Sequence, residues 1–407
     1  TGGDECDLNF DLAANPSVVG GSWSQTGGPG FVNFVPNAAD PNATVTASQY
    51  GNYEFTWSEG VYCSDSDAIT VNFYEQPVAD AGDGGNECDL DFILGAVSSI
   101  GNGQWAQVSG PGTSTFLDGT DPATTVTVTS VGQYEFQWEE VNGTCSEDDI
   151  VVVNFFDQPV ADAGFGGSEC DLDYTLSANP SVGVGTWTYT GPGTVTFAPN
   201  ENDPNAIATT DSYGIYVFTW TEGNFGCVDD ASITVDFNQQ TTADAGAGGD
   251  ECDLNFTFNA TPSIGNGVWT YSGPGSAFFT ANTDPTATVT VDTYGAYLFT
   301  WTETNGTCVA TDQVSVNFYE QPFADAGTGG NECDLNFQFS AVSSVGNGTW
   351  LQTAGPGTSS FTAATNPVAI VTVTQFGTYE FTWSEVNGTC ADSDVITVVF
   401  YEQPVAD

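Results

Sequence analysis

Lysine, arginine, histidine and methionine are all missing from this chain of 407 residues, which carries 53 aspartates and glutamates and a formal charge of −53. Without a side-chain cation it cannot neutralise phosphates, so nucleic acid and anionic membrane surfaces are excluded as direct electrostatic partners. Its counterions come from solution, divalent cations among them. The same absence removes His and Lys bases, arginine clamps, Ser-His-Asp and Cys-His arrangements and the Walker lysine. A carboxylate pair can hydrolyse glycosides in one specialised cleft, but here the same carboxylates recur five times, and the chain is read as no enzyme. Also missing is any run of 18 apolar residues, and Thr1-Gly2-Gly3 has neither the charged nor the apolar region of a signal peptide. A signal or anchor is expected outside this segment.

What is present argues against disorder. Hydrophobic residues make up 40% and aromatics 13%, enough to build cores despite the acidity. The phrase G-G-x-E-C-D-L recurs with first cysteines at Cys6, Cys88, Cys170, Cys252 and Cys333, and second cysteines follow at Cys63, Cys145, Cys227, Cys308 and Cys390. The period of 81 or 82 residues divides the chain into five repeats at 1–78, 79–160, 161–242, 243–323 and 324–407. Two cysteines per repeat, 56 or 57 apart, predict one disulfide within each repeat and an oxidising compartment. Reduced core thiols and interchain bridges are the alternatives, whereas a zinc site fails for want of CxxC pairs and histidine. A loop of that length would stabilise a small domain by about 3–4 kcal/mol. The chain starts inside the phrase A-D-A-G-x-G-G and stops at Ala406-Asp407, inside its next copy, as expected of a window from a longer array or a subunit joined end to end with others.

Leu8, Phe10 and Leu12 alternate with polar residues, as do Tyr53, Phe55 and Trp57, and period two makes both runs strands. The pattern recurs as Leu90/Phe92/Leu94 and Tyr134/Phe136/Trp138. Ser109–Gly112, Asp40-Pro41 and the Asn-Gly pairs at 142, 305 and 387 mark turns. Asn142-Gly143 predicts a hairpin from the Trp138 strand to one starting near Cys145. About seven short strands per repeat predict an all-β fold, a tandem array of Ig-like antiparallel Greek-key sandwiches. The order Cys6, Trp23, Tyr53–Trp57, Cys63 follows the Cys–Trp–Cys logic of immunoglobulin domains, except that the second cysteine lies beyond its strand, which places the bridge near one end. Tryptophan pairs such as Trp105 and Trp138 are read as core filler, with a carbohydrate-stacking platform as the alternative.

The phrases A-D-A-G-x-G-G-x-E-C-D-L, G-x-G-x-W, G-P-G, T-V-T-V, Y-x-F-x-W and N-G-T-C span all five units. In them the chain resembles the PKD-like, immunoglobulin-like repeats of very large secreted surface proteins of the Bacteroidota. That resemblance implies export to the bacterial cell surface through the type 9 route and a role in adhesins, gliding-associated proteins or enzyme appendages. The missing Lys and Arg depart from such repeats, leaving no site for trypsin-like proteases and no lysine for isopeptide cross-links.

A carboxylate sheath keeps a long fibre soluble and self-repelling. Calcium, which takes six to eight oxygen ligands, is the sharper expectation for the junctions. Its candidate ligands are Asp80, Glu87 and Asp89; Asp162, Glu169 and Asp171; Asp244, Glu251 and Asp253; and Asp325, Glu332 and Asp334. Asp65/Asp67 and Asp392/Asp394 form a second cluster that also suits the solvent face of a strand. The linker Gln76–Gly82 has a proline and no Gly/Ser tract, so neighbours should be semi-rigidly coupled into a rod of roughly 35–40 Å per sandwich. Two functions follow: the structural stalk of an extracellular filament, fibre or adhesin, made with further copies of the same repeat, or an adhesin array recognising glycans or surfaces.

Overall fold

Period-two alternation becomes strands throughout, and turn residues set their lengths. The computed structural model describes residues 1–17 and 20–405, and every regular element among them is a β-strand. Ala406 and Asp407, the expected start of another linker copy, lie outside the described residues. The first repeat runs β1 (Gly3–Glu5), β2 (Asn9–Asp11), β3 (Ser22–Gly27), β4 (Val32–Val35), β5 (Thr44–Ala47), β6 (Gly51–Glu59) and β7 (Asp65–Phe73). They make two sheets, β1-β7-β6-β3 and β2-β5-β4. The second repeat repeats the order with β8 (Gly85–Glu87), β9 (Asp91–Ile93), β10 (Asn102–Ser109), β11 (Ser114–Phe116), β12 (Thr125–Val128), β13 (Gly132–Asn142) and β14 (Cys145–Phe155). The other three do the same, giving five Ig-like sandwiches.

Tyr134, Phe136 and Trp138 all point inward from β13 and are fully buried. The Trp138 ring lies 5.2 Å from that of Trp105, in a core with Val126, Val128, Val151, Val153 and Phe155. Tyr134 donates its hydroxyl to the Ser130 carbonyl four residues back at 2.9 Å, a tyrosine corner of the kind seen in immunoglobulin folds. G-x-G-x-W also has a packing reason. Gly101 has φ +91°, and a Cβ at Gly103 would lie 1.8 Å from Cζ2 of Trp138, so only hydrogen fits under the indole.

One pairing departs from an antiparallel sandwich, and it decides the disulfides. Strand β8 runs parallel to β14, with Glu87 beside Phe155. Cys88 therefore sits where β14 finishes, while Cys145 opens that strand. About 33 Å of extended chain separates the two positions, whereas a bridge needs Cα atoms within about 4.4–6.8 Å. The expected intradomain pairs are thus overturned. The bridges are Cys6–Cys145, Cys88–Cys227, Cys170–Cys308 and Cys252–Cys390, with Cα separations of 5.4, 5.3, 5.4 and 5.5 Å. Each joins the first cysteine of one repeat to the second cysteine of the next, and Cys63 and Cys333 are free and exposed. The expected location near one end of the sandwich holds, but the two cysteines of a repeat occupy opposite ends.

Gly103→Ala should lower the stability of the second repeat by about 2 kcal/mol through overpacking, read as a lower urea midpoint for tryptophan fluorescence, while Gly119→Ala, where a Cβ meets no atom closer than 3.9 Å, should change it far less.

Candidate functional site

The junctions are where this chain concentrates its polar chemistry. After β14 and its equivalents the chain leaves the sheet through an aromatic or amide residue whose N–H donates to the carbonyl next to the first cysteine. Tyr74 donates to Glu5, Phe156 to Glu87, Asn238 to Glu169 and Tyr319 to Glu251, all at 2.8 Å. The hairpin of the following repeat, Asn-Gly in the second, fourth and fifth repeats and Asn-Phe-Gly in the third, closes over this exit. Asn142, Asn224, Asn305 and Asn387 donate their side-chain amides to the carbonyls of Glu75, Asp157, Gln239 and Glu320 at 2.8, 2.8, 2.9 and 2.8 Å. A Cβ on Gly143, at φ +63°, would lie 2.4 Å from the Tyr74 ring, so the turn glycine is also the seat of the linker aromatic. At the second junction, Phe156 stacks on Phe225 instead, with centroids 4.8 Å apart.

Beyond the exit the linker becomes part of the next sandwich. Val78 N–H donates to Ser99 Oγ at 2.9 Å, and Val160, Thr242 and Phe323 repeat the bond to Ser181, Ser263 and Ser344. Ala81, Ala163, Ala245 and Ala326 are buried in the following core. The D-x-D carboxylates receive linker amides: Asp149 takes Ala81, Asp229 takes Ala161, Asp312 takes Ala245, and Asp392 and Asp394 take Ala324 and Ala326, at 2.8–3.0 Å. Asp65 and Asp67 are their equivalents in the first repeat.

Beneath each linker lies a carboxylate that sequence reasoning missed. Glu140 is 1% exposed and has no cation to pair with. Neutral donors hold it instead: Ser99 N at 2.9 Å, Ser99 Oγ at 2.5 Å and Trp138 Nε1 at 3.2 Å. Burial pushes its carboxyl up, but the Ser99 hydroxyl and amide, the Trp138 indole and the Ile100 amide outweigh that and hold it below its ordinary value of 4.5. Glu222, Glu303 and Glu385 are held the same way. The visible signal was W-x-E, which puts the glutamate on the inward face of the aromatic strand.

The expected calcium ligands do not converge. Asp80, Asp162, Asp244 and Asp325 each accept the amide two residues on, at 2.8–2.9 Å, and Asp89, Asp171, Asp253 and Asp334 do likewise at 2.7–3.0 Å. These are Asx turns. Glu87, Glu169, Glu251 and Glu332 contribute backbone carbonyls to the exits described above. Among the described residues no three acidic side chains gather into a cation site.

No family model and no curated protein matches the chain. Among solved structures it is similar to the N-terminal eight Ig domains of Down Syndrome Cell Adhesion Molecule, at 11% identity and TM-score 0.38 over 98% of this chain and 59% of that one. It is also similar to Sidekick-1 immunoglobulin domains 1–5, at 10% identity and TM-score 0.28 over 98% of this chain and 96% of that one. The titin I-band fragment I67–I69 has 10% identity and TM-score 0.33 over 60% of this chain and 98% of that one. The chain spans 59% of the length of the first of these. Similarity at this level carries no functional argument, and the Ig-like assignment rests on the strand order, the buried tryptophan pair and the tyrosine corner.

Glu140→Gln should cost the second repeat about 2 kcal/mol, because charge-assisted bonds are lost and an amide N–H₂ is forced against donors. A carboxyl depressed in the folded state stabilises above its unfolded pKa, and this contribution disappears as pH falls through the folded value. The gap between wild type and variant in urea midpoint should therefore be full above pH 4.5 and close below it.

Proposed function

We propose that this chain is a non-enzymatic tether, a segment of an extracellular filament or adhesin stalk that carries tension through covalent strands without lengthening. The observation that carries this is the stagger of the bridges. Every second cysteine precedes the next first cysteine by 25 residues, from Cys63 to Cys88, Cys145 to Cys170, Cys227 to Cys252 and Cys308 to Cys333. Those stretches are a long last strand, a linker and the short first strand of the following repeat. Joined by the bridges, they make two continuous covalent lines. One runs from Cys6 through 145–170 and 308–333; the other runs through 63–88 and 227–252 to Cys390.

Each stretch of 25 residues reaches at most about 85 Å when extended, and two sandwiches occupy roughly 70–80 Å. The lines are therefore almost taut in the folded array. The bulk of every sandwich, from first to second cysteine, lies off each line, so its unfolding cannot lengthen the path from Cys6 to Cys333 or from Cys63 to Cys390. Disulfides of this kind require an oxidising compartment. That supports an extracellular setting, and the PKD-like repeats that this chain resembles support the bacterial cell surface, reached by the type 9 route. The paired tryptophans are buried and offer no stacking face to sugars, which weighs against a glycan-binding array built on them. The carboxylate sheath keeps neighbouring tethers apart.

Single-molecule pulling tests this reading. The oxidised chain, held at the two ends of one line, Cys6 and Cys333, should show no unfolding steps, and reduction should restore steps of roughly 250 Å, one per repeat of fully extended chain; such steps in the oxidised chain would refute the tether. Chelation with EDTA should leave amide exchange at the linkers unchanged, while dithiothreitol should accelerate it at Gln76–Gly82 and leave the core strands protected.

A further inference from the structure

The four bridges overlap along the chain, and the overlap decides what a single backbone cut can do. Cys6–Cys145 spans the first junction, Cys88–Cys227 the second, Cys170–Cys308 the third and Cys252–Cys390 the fourth. Each junction is a stretch from one second cysteine to the next first cysteine, at 63–88, 145–170, 227–252 and 308–333. Among the described residues, one bridge crosses each of these stretches. The sandwiches between them are crossed twice. Residues 88–145 lie inside both Cys6–Cys145 and Cys88–Cys227, and 170–227 and 252–308 are doubly enclosed in the same way.

The junctions are also where the backbone is open to an endoprotease. Val78, Val160, Phe165 and Phe323 lie in the linkers and are 66, 68, 84 and 76% exposed, and exposed connections are preferred sites of nicking. With Lys and Arg missing, such a cut falls to enzymes that take apolar or acidic side chains. The sulfurs are far less open. Cys145, Cys227, Cys308 and Cys390 are each 1% exposed, and at the third junction the Asn238 carbonyl of the linker exit lies 3.7 Å from Cys308 Sγ. Such cover hinders the approach of a thiol.

We propose that each junction is a release point that opens only to two reactions together, hydrolysis of the linker and reduction of the one bridge that crosses it. Hydrolysis consumes one water, breaks one peptide bond and leaves the two halves joined through the bridge. Reduction without hydrolysis leaves the backbone continuous. In the reductive reaction a dithiol passes two electrons and two protons to the bridging sulfurs by two successive exchanges and leaves as a disulfide. A cut inside a sandwich releases nothing until two bridges are reduced, so the junctions are the places where the array parts most readily. The proposal deepens the tether reading by naming how a tether is let go, and it rests on that reading.

The test alkylates the free thiols of the oxidised 407-residue chain, digests it briefly with chymotrypsin in urea, and sorts singly cut molecules by electrophoresis in detergent, with cut positions read by mass spectrometry. A chain cut between 146 and 169 should run at full length without dithiothreitol and split in two with it. Cys88→Ser, which removes the bridge across this junction, should let the cut alone release both pieces, while cuts between 89 and 144 stay joined through Cys6–Cys145. Cys170→Ser, which removes no bridge across the same junction, should release nothing there without dithiothreitol. Thiol-free release from the wild-type chain cut at 146–169 overturns the proposal, as does equal behaviour of the two variants. The tether fails on a different result, because the line from Cys6 to Cys333 uses Cys6–Cys145 and Cys170–Cys308 but not Cys88–Cys227. Unfolding steps in the uncut oxidised chain sink the tether reading and leave the two-reaction release standing, whereas thiol-free release from a chain that pulls without steps when uncut sinks only this inference.

Discussion

The parallel pairing of a three-residue strand with the end of the last strand is the constraint on which the architecture depends. Because β8 finishes beside the end of β14, the cysteine that follows β8 is carried to the far end of the sandwich from the cysteine that opens β14. No bridge can then close within a repeat, and each thiol can meet only a neighbour. A conventional internal staple would have stabilised each domain and left the linkers as the weak elements. With the stagger, the linkers and the longest strands become the covalent frame, and the sandwiches are built around it.

The composition adds a second constraint. With 53 acidic residues and no side-chain cation, buried carboxylates cannot be neutralised by ion pairs, so amides, hydroxyls and indoles must satisfy them. Glu140 takes four donors from Ser99, Trp138 and Ile100, and Ser99 in turn accepts from Val78 of the linker. Linker, serine, glutamate and tryptophan thus form one hydrogen-bonded chain from the junction into the core. Many other aspartates are spent on Asx turns. Both uses give carboxylates partners within a sequence that has no side-chain cation.

Much of the fold was legible. The alternation in Tyr134/Phe136/Trp138 gave the inward face of β13, and Asn142-Gly143 gave its hairpin to β14. The repeat period and the Ig-like class followed from them. The cysteine pairing was not legible from spacing between first and second cysteines, because β8 is only three residues long and its parallel direction leaves no periodic trace. The constant 25-residue interval from each second cysteine to the next first one was the available signal, since a taut connection tolerates no insertion, while the first-to-second interval varies between 56 and 57. The local bonds of the acidic residues around the junctions were not legible either: composition shows that carboxylates are near one another in sequence, but not that Asp80 and Asp89 each fold back on their own backbone.

The most direct measurement is disulfide mapping of the oxidised chain by mass spectrometry after cleavage at acidic and aromatic residues. The staggered frame predicts linked peptides containing Cys88 with Cys227 and Cys170 with Cys308, and unbridged Cys63 and Cys333 in the isolated chain. Peptides joining Cys88 to Cys145 or Cys170 to Cys227 would contradict it and return each bridge to a single domain.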